Sequence, residues 1–261
     1  MPFIDSGGIQ IYYQVEGQGD PLLLIHGLGS SSRDWEMQIP CFVKHFQVIT
    51  MDLRGHGQSG KPSGPYSMSS FAADAARLLN SLDSFPAHVL GISLGGMVAF
   101  QMALDFPELI RKLVIVNSVP ALIPRGIGDR LGYWQRLLIT QLFGLRTMGQ
   151  VLAERFFTEP EQEPLKEIFV KRWSENDKSS YRASLKAIYG WSVQDRLGEI
   201  SSRTLVVGAE NDYFPTRDKE AYTALIPDAR LVVIDNSNHA LPAEKPDEFN
   251  EVVVGFLHDE V

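Results

Sequence analysis

His88-Val89-Leu90-Gly91-Ile92-Ser93-Leu94-Gly95-Gly96-Met97-Val98-Ala99-Phe100 runs from a short apolar strand, through a tight turn, into an apolar helix. Its Gly-x-Ser-x-Gly centre decides how the rest of the chain is read. A serine thrust out of a very sharp strand-to-helix turn takes a strained backbone, and its neighbours two positions away must be nearly free of side chain. Such a turn exposes the Ser93 hydroxyl and aims the Leu94 amide at the same spot. The pentapeptide alone is a weak signal. The strand before it and the glycine-containing helix after it supply the context that makes Ser93 a candidate nucleophile.

Working outward, strands are predicted over residues 9–15, 22–26, 47–52, 112–117, 204–207 and 231–234, besides 89–92 before Ser93. Residues 22–26 and 47–52 are short apolar runs, the pattern of strands covered on both faces of a parallel sheet. Helices are predicted over 69–82, 94–105 and 217–225, and a last one starts near Pro246, which suits a first-turn position. Strands alternating with helices predict an α/β fold, a parallel sheet flanked by helices. Residues 120–195 break that rhythm with no convincing buried strand and many aromatics, among them Tyr133, Phe156, Phe157, Trp173 and Tyr189. They read as a helical cap inserted between core segments 1–119 and 196–261. An insertion of this kind tends to cover the strand ends where ligands bind. Trp134, Leu138, Phe143 and Trp191 are its candidate substrate contacts, the alternative being that they pack the insertion's own small core.

The composition sets outer limits. The chain has 261 residues, 44% hydrophobic, with a net charge of −8 and no basic runs. That balance argues against nucleic acid and anionic membrane surfaces as partners. Residues 84–104 carry no charged side chain, but Pro86, Gly91, Ser93, Gly95, Gly96 and Gln101 break them into strand, turn and helix, so no membrane span is expected. The single cysteine, Cys41, rules out an internal disulfide and a thiolate zinc site, and reads as a small buried hydrophobe. No signal peptide is visible at the first residues, so a cytoplasmic location is expected. Between residues 125 and 155 stand Arg125, Arg130, Arg136, Arg146 and Arg155 against Asp129 and Glu154. They read either as a solvated helical face or as the source of an arginine that recognises a substrate carboxylate.

A serine hydroxyl needs a base to remove its proton. Of the six histidines, His239 follows an apolar strand at the same sheet edge as Ser93. His26 and His56, in glycine-rich loops, are its rivals and are read as structural hydrogen-bonders. His88 falls at the opposite edge, and His45 and His258 read as solvated. The orienting acid should also follow a strand, which selects Asp212, with Glu210 as the rival. Its work is to hold the imidazole in one tautomer and stabilise the imidazolium. The glycines of His26-Gly27-Leu28-Gly29 allow an inward N–H, so the amides of Leu28 and Leu94 are expected to form an oxyanion hole.

With these residues in place the sequence resembles the α/β-hydrolase superfamily. The order Ser93, Asp212, His239 matches its nucleophile–acid–base order. Asp52-Leu53-Arg54-Gly55-His56-Gly57-Gln58-Ser59 resembles a recurring segment of the family, as does His239 followed by Glu244-Lys245-Pro246. The resemblance implies an α/β-hydrolase fold with a mostly parallel eight-stranded sheet, a cap over the site and no cofactor or metal. Serine at 93 separates the chain from relatives that carry an aspartate there. It leaves a carboxylesterase acting on small, largely apolar esters as the least demanding expectation. Lactonase, carbon–carbon hydrolase and perhydrolase activities are the alternatives within the fold, and a hydrolase-like small-molecule binder is the alternative outside enzymology. Oligomeric state is not readable.

Overall fold

The computed structural model describes residues 2–124 and 126–259. Its elements, in chain order, begin with β1 (Phe3–Asp5), β2 (Gln10–Glu16), β3 (Asp20–Ile25), α1 (Ile39–Phe42), β4 (Phe46–Met51), α2 (Met68–Ser81), β5 (Ala87–Ile92), α3 (Leu94–Asp105) and β6 (Ile110–Val116). Four helices follow: α4 (Ile127–Leu142), α5 (Gly144–Phe156), α6 (Glu163–Ser174) and α7 (Lys178–Ile188). The chain then returns to β7 (Arg203–Ala209), α8 (Thr216–Thr223), β8 (Ala229–Ile234), α9 (Leu241–Glu244) and α10 (Pro246–His258).

The strands form one eight-stranded sheet in the order β1-β2-β4-β3-β5-β6-β7-β8. β1 and β2 pair antiparallel, and every pairing from β4 to β8 is parallel. This is the α/β-hydrolase fold that the sequence implied. The predicted strands all appear, with their ends displaced by one or two residues. β1 escaped prediction because three residues carry no periodicity. The chain steps from β3 outward to β4, then crosses back to β5 on the other side of β3. That reversal opens a crevice at the carboxyl ends of β3 and β5, where ligands bind in open α/β sheets.

Period-two alternation sorts the strand side chains onto two faces. Leu23, Ile25, Ile49, Met51, Val89, Leu113 and Val206 join one core with α2 and α3. Leu22, Leu24, Val48, Leu90, Val114, Leu205 and Val207 join the other with Phe249, Val253 and Phe256 of α10. Burying each such side chain is worth about 1.5–3 kcal/mol, which fixes the register on both faces. Cys41, expected to be buried, is only partly so at the edge of the second core.

The segment that resembles the family's Asp-x-Arg-Gly-x-Gly-x-Ser loop is structural. Asp52 accepts hydrogen bonds from the amides of Ser32 and Gln58, each at 2.7 Å, and Arg54 meets buried Asp74 at 2.6 Å. Gly57 has φ +47°, and a Cβ there would stand 2.0 Å from Asp52 Oδ2. The Asp52 carboxylate thereby ties the loop after β4 to the loop after β3.

The helices between β6 and β7 hang from a stitched stem. The Leu122 amide donates to the Trp191 carbonyl, that of Gly190 to the Leu122 carbonyl and that of Val193 to the Pro120 carbonyl, at 2.8–2.9 Å. Among the described residues no helix is long and apolar enough to cross a membrane.

Candidate active site

Ser93 stands between β5 and α3 with φ 54° and ψ −115°. The left-handed value is unusual for a residue with a side chain and is the strain expected of an exposed nucleophile. Its neighbours show why they are glycines. A Cβ on Gly91 would lie 2.2 Å from the Gly95 carbonyl oxygen, and one on Gly95 would lie 2.1 Å from that of Ile25. The elbow is pinned from below: Ser93 N–H donates to Val116 O at 2.9 Å and Ser118 Oγ donates to Ser93 O at 2.7 Å.

Asp212 follows β7 and His239 follows β8. His239 Nδ1–H donates to Asp212 Oδ1 at 2.7 Å, which leaves Nε2 as the acceptor. The Tyr213 hydroxyl donates to that Nε2 at 3.0 Å and lies beside the Ser93 side chain. Among the described residues no hydrogen bond joins Ser93 to His239 directly; Tyr213 stands between them. Glu210, the rival acid, is exposed and accepts from the Asn236 amide at 2.8 Å, so it staples a loop. His26 donates through Nδ1 to Gly27 O at 2.7 Å and accepts the Leu53 amide through Nε2 at 3.0 Å, the structural role expected of it.

Three site residues carried no sequence signal that singled them out. Lys219, on α8, places Nζ 2.7 Å from Asp212 Oδ2, with both side chains fully buried. Gly208 makes room for it, since a Cβ there would stand 3.0 Å from Lys219 Cδ. Burial pushes the Asp212 carboxyl up. The hydrogen bond from His239, with the charges of His239 and Lys219, outweighs it and holds the group below the ordinary carboxylate range. Asn117, at the end of β6, accepts the Ala209 amide through Oδ1 at 2.8 Å and donates through Nδ2 to the His239 carbonyl at 3.0 Å. It thereby ties β7, which Asp212 follows, to the loop that carries His239. Tyr213 is the third.

The amides of Leu28 and Leu94 donate to no backbone acceptor among the described residues. Both residues line, with Ser93 and His239, a cavity of about 550 Å³. Its walls are Leu122, Leu152, Phe156, Phe157, Phe169 and Trp173, several of them from α5 and α6. Trp134, Leu138, Phe143 and Trp191 do not line it. Trp134, Leu138 and Phe143 are 64%, 56% and 66% exposed, and Trp191 donates Nε1–H to Gln101 Oε1 at 2.9 Å. The reason is helical phase: Trp134 and Leu138 share one face of α4, whereas Asp129, Gly132 and Arg136 present the opposite one to the cavity. Arg125, one of the five arginines noted in the sequence, lies outside the described residues.

Comparison with known proteins fits this geometry. A family model described as alpha/beta hydrolase fold matches residues 20–246. The chain belongs to the alpha/beta hydrolase fold family. This α/β-hydrolase is 31% identical over 267 residues to a putative carbamate hydrolase RutD of Azorhizobium caulinodans, covering 98% of each chain. It is 29% identical to 3-oxoadipate enol-lactonase 2 of Acinetobacter baylyi, covering 94% of this chain and 92% of that one. The α/β-hydrolase also superposes on the crystal structure of a hydrolase from Pseudomonas aeruginosa with a TM-score of 0.90, at 28% identity and 98% coverage of both.

Proposed function

We propose that this hydrolase cleaves carboxylic esters of small substrates through an acyl-enzyme formed on Ser93, with residues 120–195 acting as the cap that shapes the substrate cavity. The observation that carries the reading is the Asp212–His239 pair. It fixes the tautomer so that the Nε2 lone pair meets the Tyr213 hydroxyl, which lies beside the Ser93 side chain. In this reading substrate displaces the Tyr213 hydroxyl from Nε2. Ser93 Oγ then attacks the acyl carbon while its proton passes to Nε2. Asp212 stabilises the imidazolium, and the oxyanion forms against the Leu28 and Leu94 amides. His239 returns the proton to the leaving alcohol, and the same groups direct water onto the acyl-enzyme. Lactones and carbamates present the same kind of acyl carbon, so the names of the two relatives are compatible with this chemistry.

A fluorophosphonate probe tests the nucleophile. The wild type is expected to be labelled and Ser93→Ala not, and p-nitrophenyl ester hydrolysis is expected to fall at least 10³-fold in that variant. Labelling that survives Ser93→Ala, or a folded wild type that is never labelled, contradicts the reading. A panel of esters, lactones and carbamates at matched acyl length ranks the substrate classes.

A further inference from the structure

The cavity wall carries a charge that the ester chemistry does not use. Arg136 lies on the cavity face of α4, where Gly132, one turn earlier, leaves the wall open beside it. Its Nε–H donates to the Tyr181 hydroxyl at 2.5 Å, and its guanidinium stands 5.7 Å from the centre of the Tyr181 ring, a buried platform. The two Nη groups donate to no described residue, and no described carboxylate lies within ion-pairing distance of them. A guanidinium held by a phenol, with its fork unused and facing an aromatic cavity, is a cation awaiting an anion. The other charges on the wall differ. Arg172 meets Glu36 at 2.6 Å, and Asp34 is bonded by Ser30. Arg155 lines the cavity from an exposed position.

We infer that Arg136 binds a carboxylate carried by the substrate, so that the preferred esters are half-esters of short dicarboxylic acids and not neutral esters. The inference rests on the ester-hydrolase reading and names its substrate class. Placement supports it. Arg136 lines the same cavity as Ser93, His239 and Tyr213, whose hydroxyl touches His239. Inside the cavity an Arg136–carboxylate pair is screened less than on the open surface.

The test compares monomethyl with dimethyl esters of succinic, glutaric and adipic acids, which differ only in whether the remote carboxylate is capped. Binding is measured by calorimetry on Ser93→Ala, where no turnover is needed, and kcat/KM is measured on the wild type. We expect the monomethyl ester of one chain length to bind Ser93→Ala at least tenfold tighter than its dimethyl counterpart. The wild type should show the same ratio in kcat/KM. Adding Arg136→Met should lower both ratios at least tenfold, and Arg136→Lys should restore part of them. A wild-type ratio near one, or a ratio that Arg136→Met leaves unchanged, overturns the inference even if Ser93 is labelled by a fluorophosphonate. Absent labelling and turnover, with the binding ratio and its loss in Arg136→Met intact, would instead remove the ester-hydrolase reading and leave the carboxylate site standing.

Discussion

Asp212 is held from two sides, by the imidazole that it orients and by an ammonium buried as deeply as itself. The consequence is electrostatic. Lys219 compensates the Asp212 carboxylate and, with His239, holds its carboxyl below the ordinary range. Lys219→Met is therefore expected to raise the Asp212 carboxyl and to lower kcat/KM on ester substrates about tenfold. It should also lower the unfolding free energy by about 3 kcal/mol, because one partner of a buried pair is lost. A variant that is destabilised yet keeps the wild-type kcat/KM would show that Lys219 only packs. The sequence could not mark this lysine. It stands in a strongly polar helix segment, Thr216–Thr223, and its partner is seven residues back across a turn. Asn117 and Tyr213 escaped for the same reason: their partners lie at the ends of other strands, which no local pattern connects. By contrast, Ser93, Asp212 and His239 were legible because each directly follows a strand, and the sheet brings strand ends together by itself.

At the scale of elements, α4 shows what periodicity can and cannot tell. Its spacing gives two faces, but only the fold decides which one turns inward. Ile127, Leu131, Trp134, Leu138 and Leu142 form its outer face, each more than half exposed. The inner face carries Asp129 and Arg136. Reading apolar side chains as the inward ones therefore failed for this helix, although it held for α2 and α10, whose apolar faces pack on the sheet. Because the outer residues bury little area, Leu131→Gln and Leu138→Gln are each expected to change the urea-unfolding free energy by less than about 0.5 kcal/mol. A loss above about 1.5 kcal/mol in either would mean that this face is covered in solution.

The whole molecule stores acid sensitivity in its histidines. Burial, with the Arg111 and Lys112 charges nearby, lowers His88 to about 4, and burial together with His26 lowers His56 to about 3. Both are neutral in the folded protein, whereas the unfolded chain takes up their protons below about pH 6.5. Their stabilising contribution is thus complete above that pH and is lost as pH falls toward 4 and then 3. Asp212 adds its loss only below about pH 3.8, since its carboxyl is depressed instead. Urea unfolding from pH 7 to 4.5 is expected to show stability falling by roughly 5 kcal/mol, an order set by about 1.4 kcal/mol per pKa unit over about two units for each histidine. His88→Gln should flatten the slope; an unchanged slope would place the loss elsewhere.

The stem beneath α4–α7 carries an evolutionary implication. Where the chain leaves the sheet after β6, it is hydrogen-bonded to the point where it comes back before β7. The strands β6 and β7 therefore meet a sealed neck, while α6 and α7 also dock on the loops after β3 and β4. Exchanging residues 123–189 for the corresponding stretch of a cousin would leave every ladder bond beneath undisturbed, so these helices can be remodelled without rebuilding the sheet.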